Sequence, residues 1–151
     1  MNDKNCISYW LPKVEATGVP SPKTTLIHTD CELWRMVDGE DVEGISTFIA
    51  DIAKAATEMG LPCFLRSGHT SNKHSWQSSC FLDDASPKLI RSHVYSIVEF
   101  SELASIACGL PSGCWAVREL LPVDPITRLE RYGMMPVVPE IRFFISGGRV
   151  E

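Results

Sequence analysis

The residues best suited to chemistry in this chain are gathered between Leu61 and Trp76, in LPCFLRSGHTSNKHSW. An apolar run delivers Arg66 into a loop of Gly, Ser, Thr and Asn that also carries His69, Lys73 and His74. Such a loop has little apolar surface to bury and many exposed main-chain donors. With a guanidinium and an ammonium added it suits a polyanion such as a nucleotide phosphate. Arg66 would act as a planar fork at a strand end, and Lys73 as a mobile point charge on a flexible loop. Read alone, the loop favours two solvated surface cations over a phosphate site, and its histidines a solvated role.

Two further segments, CWAVREL and VPEIRFFISGG, each set an arginine beside a glutamate among apolar residues. Arg118 and Glu119 are neighbours, so on a strand only one of them shares a face with Ala116. Glu140 and Arg142 are spaced to project to one face. Charges within apolar strands cost free energy unless they are paired or bound. An ion-pair network across strands and an anionic ligand both answer that cost, and the pattern leaves both open. Cys63, His69, His74 and Cys80 form a grouping of metal-ligand types. The two cysteines, however, lie in strand-like runs where cysteine packs as a small hydrophobe. His93 reads as part of a helix face, and Met134-Met135 as core filling. No GxSxG, GxxxxGK[ST], HExxH or GxGxxG motif occurs, so the mechanisms those motifs carry have no support.

These residues need strands and helices to position them. Periodicity and punctuation predict a helix from Ser8, as its cap, to Thr17, with Pro12 tolerated in the first turn. A strand follows over Thr24–His28, then a helix from Val42 to Met59 stopped by Gly60. A strand runs from Pro62 to Arg66, the polar loop intervenes, and extended structure resumes over Ser79–Leu82. Ser86-Pro87 opens a helix to Ala107. Strands are expected over Trp115–Leu121 and Glu140–Ser146, with an irregular stretch from Pro122 to Pro139 and a hairpin turn at Gly147-Gly148.

The totals bound the rest. With 151 residues, 44% hydrophobic and 22% charged, the chain reads as one globular domain or two small lobes sharing a core. A net charge of −5 argues against a general nucleic-acid binder, which would show a basic surplus. No stretch reaches the ~20 apolar residues that span a membrane, and the N-terminus lacks a signal-like apolar run. The six cysteines are scattered outside any CxxC pair and read as free thiols of a cytoplasmic protein.

In this order, the segments resemble the ATP-grasp superfamily over nearly the whole chain. A helix is followed by GVPSPKTTLI, a second helix and FLRSGHTSNKHSW; a third helix precedes WAVRELLP and PEIRFFISGGRV. The likeness is to the clade marked by two arginines and one lysine, found in phages, bacteria and a eukaryotic translation-initiation-factor assembly protein. It implies an α+β fold, rich in antiparallel sheet with flanking helices, that holds ATP between two small lobes. Residues 1–60 would form an N-terminal α/β portion, 61–113 the phosphate-loop lobe and 114–151 the start of a C-terminal lobe.

Carried over by motif, Arg66 and Lys73 would contact the phosphates. Glu119 and Leu120 would belong to the hinge strand that recognises adenine through main-chain groups, and Arg118 and Arg142 would face the triphosphate or the acyl phosphate. Glu140 would orient Arg142. The implied activity is ATP-dependent ligation of a carboxylate to an amine or thiol, with Lys73, Arg118 and Arg142 catalytic and Mg²⁺ assisting. Members of the superfamily usually carry their metal-binding acid and a Glu/Asp-x-Asn element after the EIRFF hairpin. No such element precedes Glu151, so a shortened or partial copy is expected, with no metal ligand in this chain. A non-catalytic nucleotide- or protein-binding module, like the assembly-factor relatives, is the alternative. A nucleotidyltransferase with Lys73 as nucleophile lacks the Lys-x-Asp-Gly context it would need.

Overall fold

Four separated runs of residues, the third only two residues long, build the main sheet. The computed structural model of the chain describes residues 3–104, 109–140, 145–146 and 149–150. In it β1 (Thr24–His28), β2 (Cys63–Ser67), β3 (Phe81–Leu82) and β4 (Cys114–Glu119) form one antiparallel sheet of order β1-β4-β2-β3. The architecture is mixed α+β. The sheet draws strands from all three of the expected segments, 1–60, 61–113 and 114–151.

Side-chain alternation gives the sheet two unlike faces. Ile27, Cys63, Leu65, Trp115 and Val117 point to the first and are buried. Two helices cover it, α2 (Ile45–Met59) and α4 (Pro87–Ala104). Their apolar residues recur at helical spacing, Phe48, Ile49, Ile52 and Ala56 on α2 and Ile90, Val94, Ile97 and Val98 on α4, and all belong to the same core. Phe48 meets Trp115 edge-on at 5.6 Å. Each fully buried side chain of this size contributes on the order of 1.5–3 kcal/mol, which makes this face the main source of stability.

The second face is only partly covered. Helix α1 (Ile7–Glu15) lays Ile7 and Leu11 against Cys114 and Ala116, with Leu26 alongside. Thr24, Phe64, Arg66 and Arg118 lie on this same face, by their register with one another and with Ala116. Beyond β4 the chain forms a hairpin, β5 (Thr127–Leu129) with β6 (Met135–Val137), joined through a 3-10 turn at Glu130–Tyr132. Two short strands, β7 (Ile145–Ser146) and β8 (Arg149–Val150), pair antiparallel on either side of Gly147-Gly148.

Several sequence expectations are corrected. Helix α1 starts after Cys6 rather than Ser8, and the Ser8 hydroxyl lies 3.1 Å from the Cys6 thiol instead of capping. Pro12 therefore falls past the first turn, and the helix ends at Glu15. Helix α2 cannot begin at Val42, because Gly44 adopts φ 77° just ahead of Ile45. The stretch Pro122–Pro139 is not wholly irregular. Its strands have three residues each and Pro136 sits inside one, too short for a period-2 signal and marked by a residue that normally argues against a strand. Met134 is 39% exposed rather than core. Glu140 lies outside any strand, while 141–144 and the last residues of the expected helix to Ala107 fall outside the described residues. Among the described residues, no helix is long and apolar enough to cross a membrane.

A candidate anion-binding pocket

Arg66 reaches the open part of the second face because it alternates with the buried Leu65 and Ser67 on β2. Arg118 stands opposite Phe64, and Arg66 opposite Ala116, so the two arginines are diagonal neighbours across the β2–β4 ladder. Arg66 Nε donates to the Ser67 carbonyl at 3.0 Å, and Arg118 Nε donates to Thr24 Oγ1 at 3.0 Å. Each guanidinium thus ties its inner nitrogen to the protein. Neither forms an ion pair among the described residues. Burial pushes both guanidinium groups down from their usual range. Arg118 adds to the effect on Arg66 by repulsion, while Glu15 opposes it at Arg118. The internal salt bridge that the sequence left open for Arg118 is therefore not formed within the described residues. Arg142 lies outside them.

The loop after β2 is not the flexible tether expected for Lys73. Ser67 Oγ accepts the amide of Thr70 at 3.0 Å, closing a tight turn. Asn72, at φ 48°, leads into a 3-10 turn at Lys73–Ser75 and then the short helix α3 (Trp76–Ser79). The buried Ser79 hydroxyl lies 2.8 Å from the Asn72 carbonyl and 2.7 Å from the Ser75 carbonyl, donating between them. His74 stacks on Tyr132 at 4.7 Å and docks this turn on the β5–β6 hairpin. Lys73 is exposed, but its neighbours are held, Asn72 and Ser75 by the Ser79 hydroxyl and His74 by Tyr132.

These elements border an open cleft of about 530 Å³. Arg66, Lys73, Arg118, Glu119, Leu120 and Glu140 all line it, so the structure gathers into one site every described residue singled out for nucleotide contact. Phe64 and Trp76 supply aromatic wall, their rings 5.8 Å apart, and Met135–Val138 close the far side. The volume lies within the roughly 300–1,000 Å³ typical of small-ligand sites. Glu119 is not a free carboxylate: its Oε2 accepts the Lys23 amide at 3.1 Å, while its own amide donates to the Lys23 carbonyl at 2.9 Å. It clamps β1 to β4. The amide of Leu120, next along the wall, has no hydrogen-bond acceptor among the described residues.

The other titratable candidates lie elsewhere. His69 bonds Asp3 at 2.6 Å and faces the Pro111 carbonyl at 3.1 Å, in a second cavity beside α1. Cys63 and Cys80 are buried, and burial pushes both thiols up to about 11. With His74 on Tyr132, the four residues of the conceivable zinc grouping are dispersed, and no set of three metal-ligating side chains occurs among the described residues. Cys6, Cys31, Cys63, Cys80 and Cys114 are free thiols. What the sequence did not reveal is Thr24 as the partner of Arg118. Its position opposite Arg118 depends on pairing between segments some 90 residues apart.

Comparison with protein-family models, with curated proteins and with solved structures finds no match to this chain.

Proposed function

We propose that the pocket binds the polyphosphate of ATP, in an ATP-grasp-like domain of the two-arginine, one-lysine kind. One observation carries this reading: Arg66, Arg118 and Lys73 converge on one cavity without a carboxylate paired to any of them among the described residues. Half-buried cations that repel each other favour an anion of high charge density, and Arg–phosphate forks are among the strongest charge-assisted contacts. Adenine would lie against the wall at Leu120, where a main-chain donor is available.

By the same resemblance, the reaction is ligation through an acyl phosphate. A carboxylate oxygen bonds to the γ-phosphorus as ADP leaves. An amine or thiol then bonds to the acyl carbon as phosphate leaves. The three cations would stabilise charge developing on the transferred group. Magnesium at such a site would be held chiefly by the phosphates with one or two carboxylates; of the two carboxylates lining the pocket, Glu119 already accepts the Lys23 amide through Oε2. The acceptor substrates are a carboxylate and an amine or thiol of unassigned identity.

Calorimetry with ATP and ADP tests the proposal. Saturable binding is expected, weakened on the order of tenfold or more by Lys73→Ala and by Arg66→Ala, since one charge-assisted contact contributes about 1.5–3 kcal/mol. Absence of binding to the folded protein overturns it.

A further inference from the structure

We propose that Thr24 is a positioning residue for the anion site, a role that rests on the polyphosphate reading above. Thr24 lies directly opposite Arg118 in the β1–β4 register, on the face that bears the pocket. Its hydroxyl donates to the Pro22 carbonyl at 2.8 Å and accepts from Arg118 Nε at 3.0 Å. A hydroxyl has one proton. With that proton committed to Pro22, only lone pairs face the guanidinium, so the contact to Arg118 has a fixed direction.

The relay is anchored at its far end. The Lys23 peptide, between Pro22 and Thr24, is gripped by Glu119 through both main chain and carboxylate. Pro22 itself lines the pocket. The Pro22 carbonyl, the Thr24 hydroxyl and Arg118 Nε therefore form a chain whose members are fixed by two strands. What remains of the guanidinium is its outer edge, with both Nη groups, which no described residue engages. That edge makes the bidentate contact with a phosphate.

The chemistry of the acceptor matters. A carboxylate at this position would orient Arg118 equally well but would neutralise it. A hydroxyl fixes the plane and leaves the full positive charge for the ligand. Thr24 thus serves orientation without competing with the anion.

The test uses inorganic tripolyphosphate and adenosine as separate probes of the charged and uncharged parts of the site. Thr24→Val, which keeps the shape and removes the hydroxyl, is expected to weaken tripolyphosphate about five- to twentyfold and to leave adenosine within twofold. Thr24→Ser should restore tripolyphosphate binding to within about threefold of the wild type. In an Arg118→Met background, Thr24→Val should have no further effect. An equal loss there, an equal loss of adenosine, or unchanged tripolyphosphate binding in Thr24→Val each overturns the role of Thr24 while leaving the anion site intact. Should Thr24→Val fail to fold, the Thr24→Ser and Thr24→Ala pair gives the same contrast, and equal affinities overturn the proposal. A wild type that binds neither tripolyphosphate nor ATP overturns the polyphosphate reading itself, and Thr24 with it.

Discussion

Asn72 hangs the turn that carries Lys73 from the middle of α4: its Nδ2 lies 3.3 Å from both the carbonyl oxygen and the hydroxyl of Ser96. Asn is one of the few non-glycine residues at ease in the left-handed region it occupies, φ 48°. Replacing it with alanine removes the anchor and adds backbone strain. Asn72→Ala should cost about 1–2 kcal/mol in urea denaturation and should weaken polyphosphate binding as Lys73 loses its fixed origin. A variant that loses stability but keeps its affinity would show that Lys73 needs no such tether.

Arg66 and Arg118 are both partly buried, and Arg118 repels Arg66. Arg66→Met retains much of the side-chain volume and removes one charge. The variant should be as stable as the wild type or more so, by up to about 1–2 kcal/mol, while losing affinity for polyphosphate. Opposite signs for folding and binding mark a site whose strain is relieved by ligand. A clear loss of stability in chemical denaturation would mean that Arg66 has a favourable partner the pocket does not display.

Gly68 joins α1 to the sheet. Its amide donates to the Cys114 carbonyl at 2.7 Å and its carbonyl accepts the Ile7 amide at 2.9 Å. A Cβ here would come within 2.5 Å of Cys6 Sγ and 3.2 Å of Cys114 Cβ. Gly68→Ala should therefore lower stability by about 1–3 kcal/mol through overpacking. Removing the sulfur in Cys6→Ala/Gly68→Ala should recover part of that loss, and a double-mutant cycle measures the coupling. Additive effects would place the strain at Cys114 instead.

His93 on α4 is 1% exposed, and its Nδ1 has no hydrogen-bond partner among the described residues. Burial pushes its pKa down from the ordinary value of about 6.5, against weaker opposing effects from the Ser79 and Gln77 main chain and from Asp83. The unfolded chain then binds the proton more readily than the folded one. The stability His93 gives by staying neutral is full above about pH 6.5 and is lost as pH falls through its folded-state pKa. Urea midpoints from pH 8 to pH 5 should fall in the wild type and fall less in His93→Leu once each is compared with its own pH 8 value. Parallel curves would assign the acid sensitivity to other groups.

Much of this arrangement was legible in the sequence because it is local. The strand Thr24–His28, the C-terminal end of α2 and the start of α4 follow from apolar spacing and from Gly60 and Pro87. That Arg66, Lys73, Arg118 and Glu119 share one cavity was expected only through the resemblance to ATP-grasp proteins; the residues read alone left it open. What stayed hidden is set by register and by side-chain hydrogen bonds. Nothing local says that the Ser79 hydroxyl stiffens the Lys73 turn, that Glu119 spends its carboxylate on Lys23, or that Thr24 meets Arg118. The three-residue strands of the β5–β6 hairpin were missed because each is shorter than any periodic signal.

The place of β4 between β1 and β2 has a consequence for synthesis on the ribosome. Within the main sheet, β1 pairs with β4 alone, and β2 finds its longer partner there too. While residues up to about 113 are emerging, β1 has no partner in this sheet and the apolar side chains of β2 await Trp115 and Val117. The sheet closes only when the last of its four strands leaves the exit tunnel. Such late, long-range pairing slows folding and prolongs the interval in which a nascent chain can be captured by others.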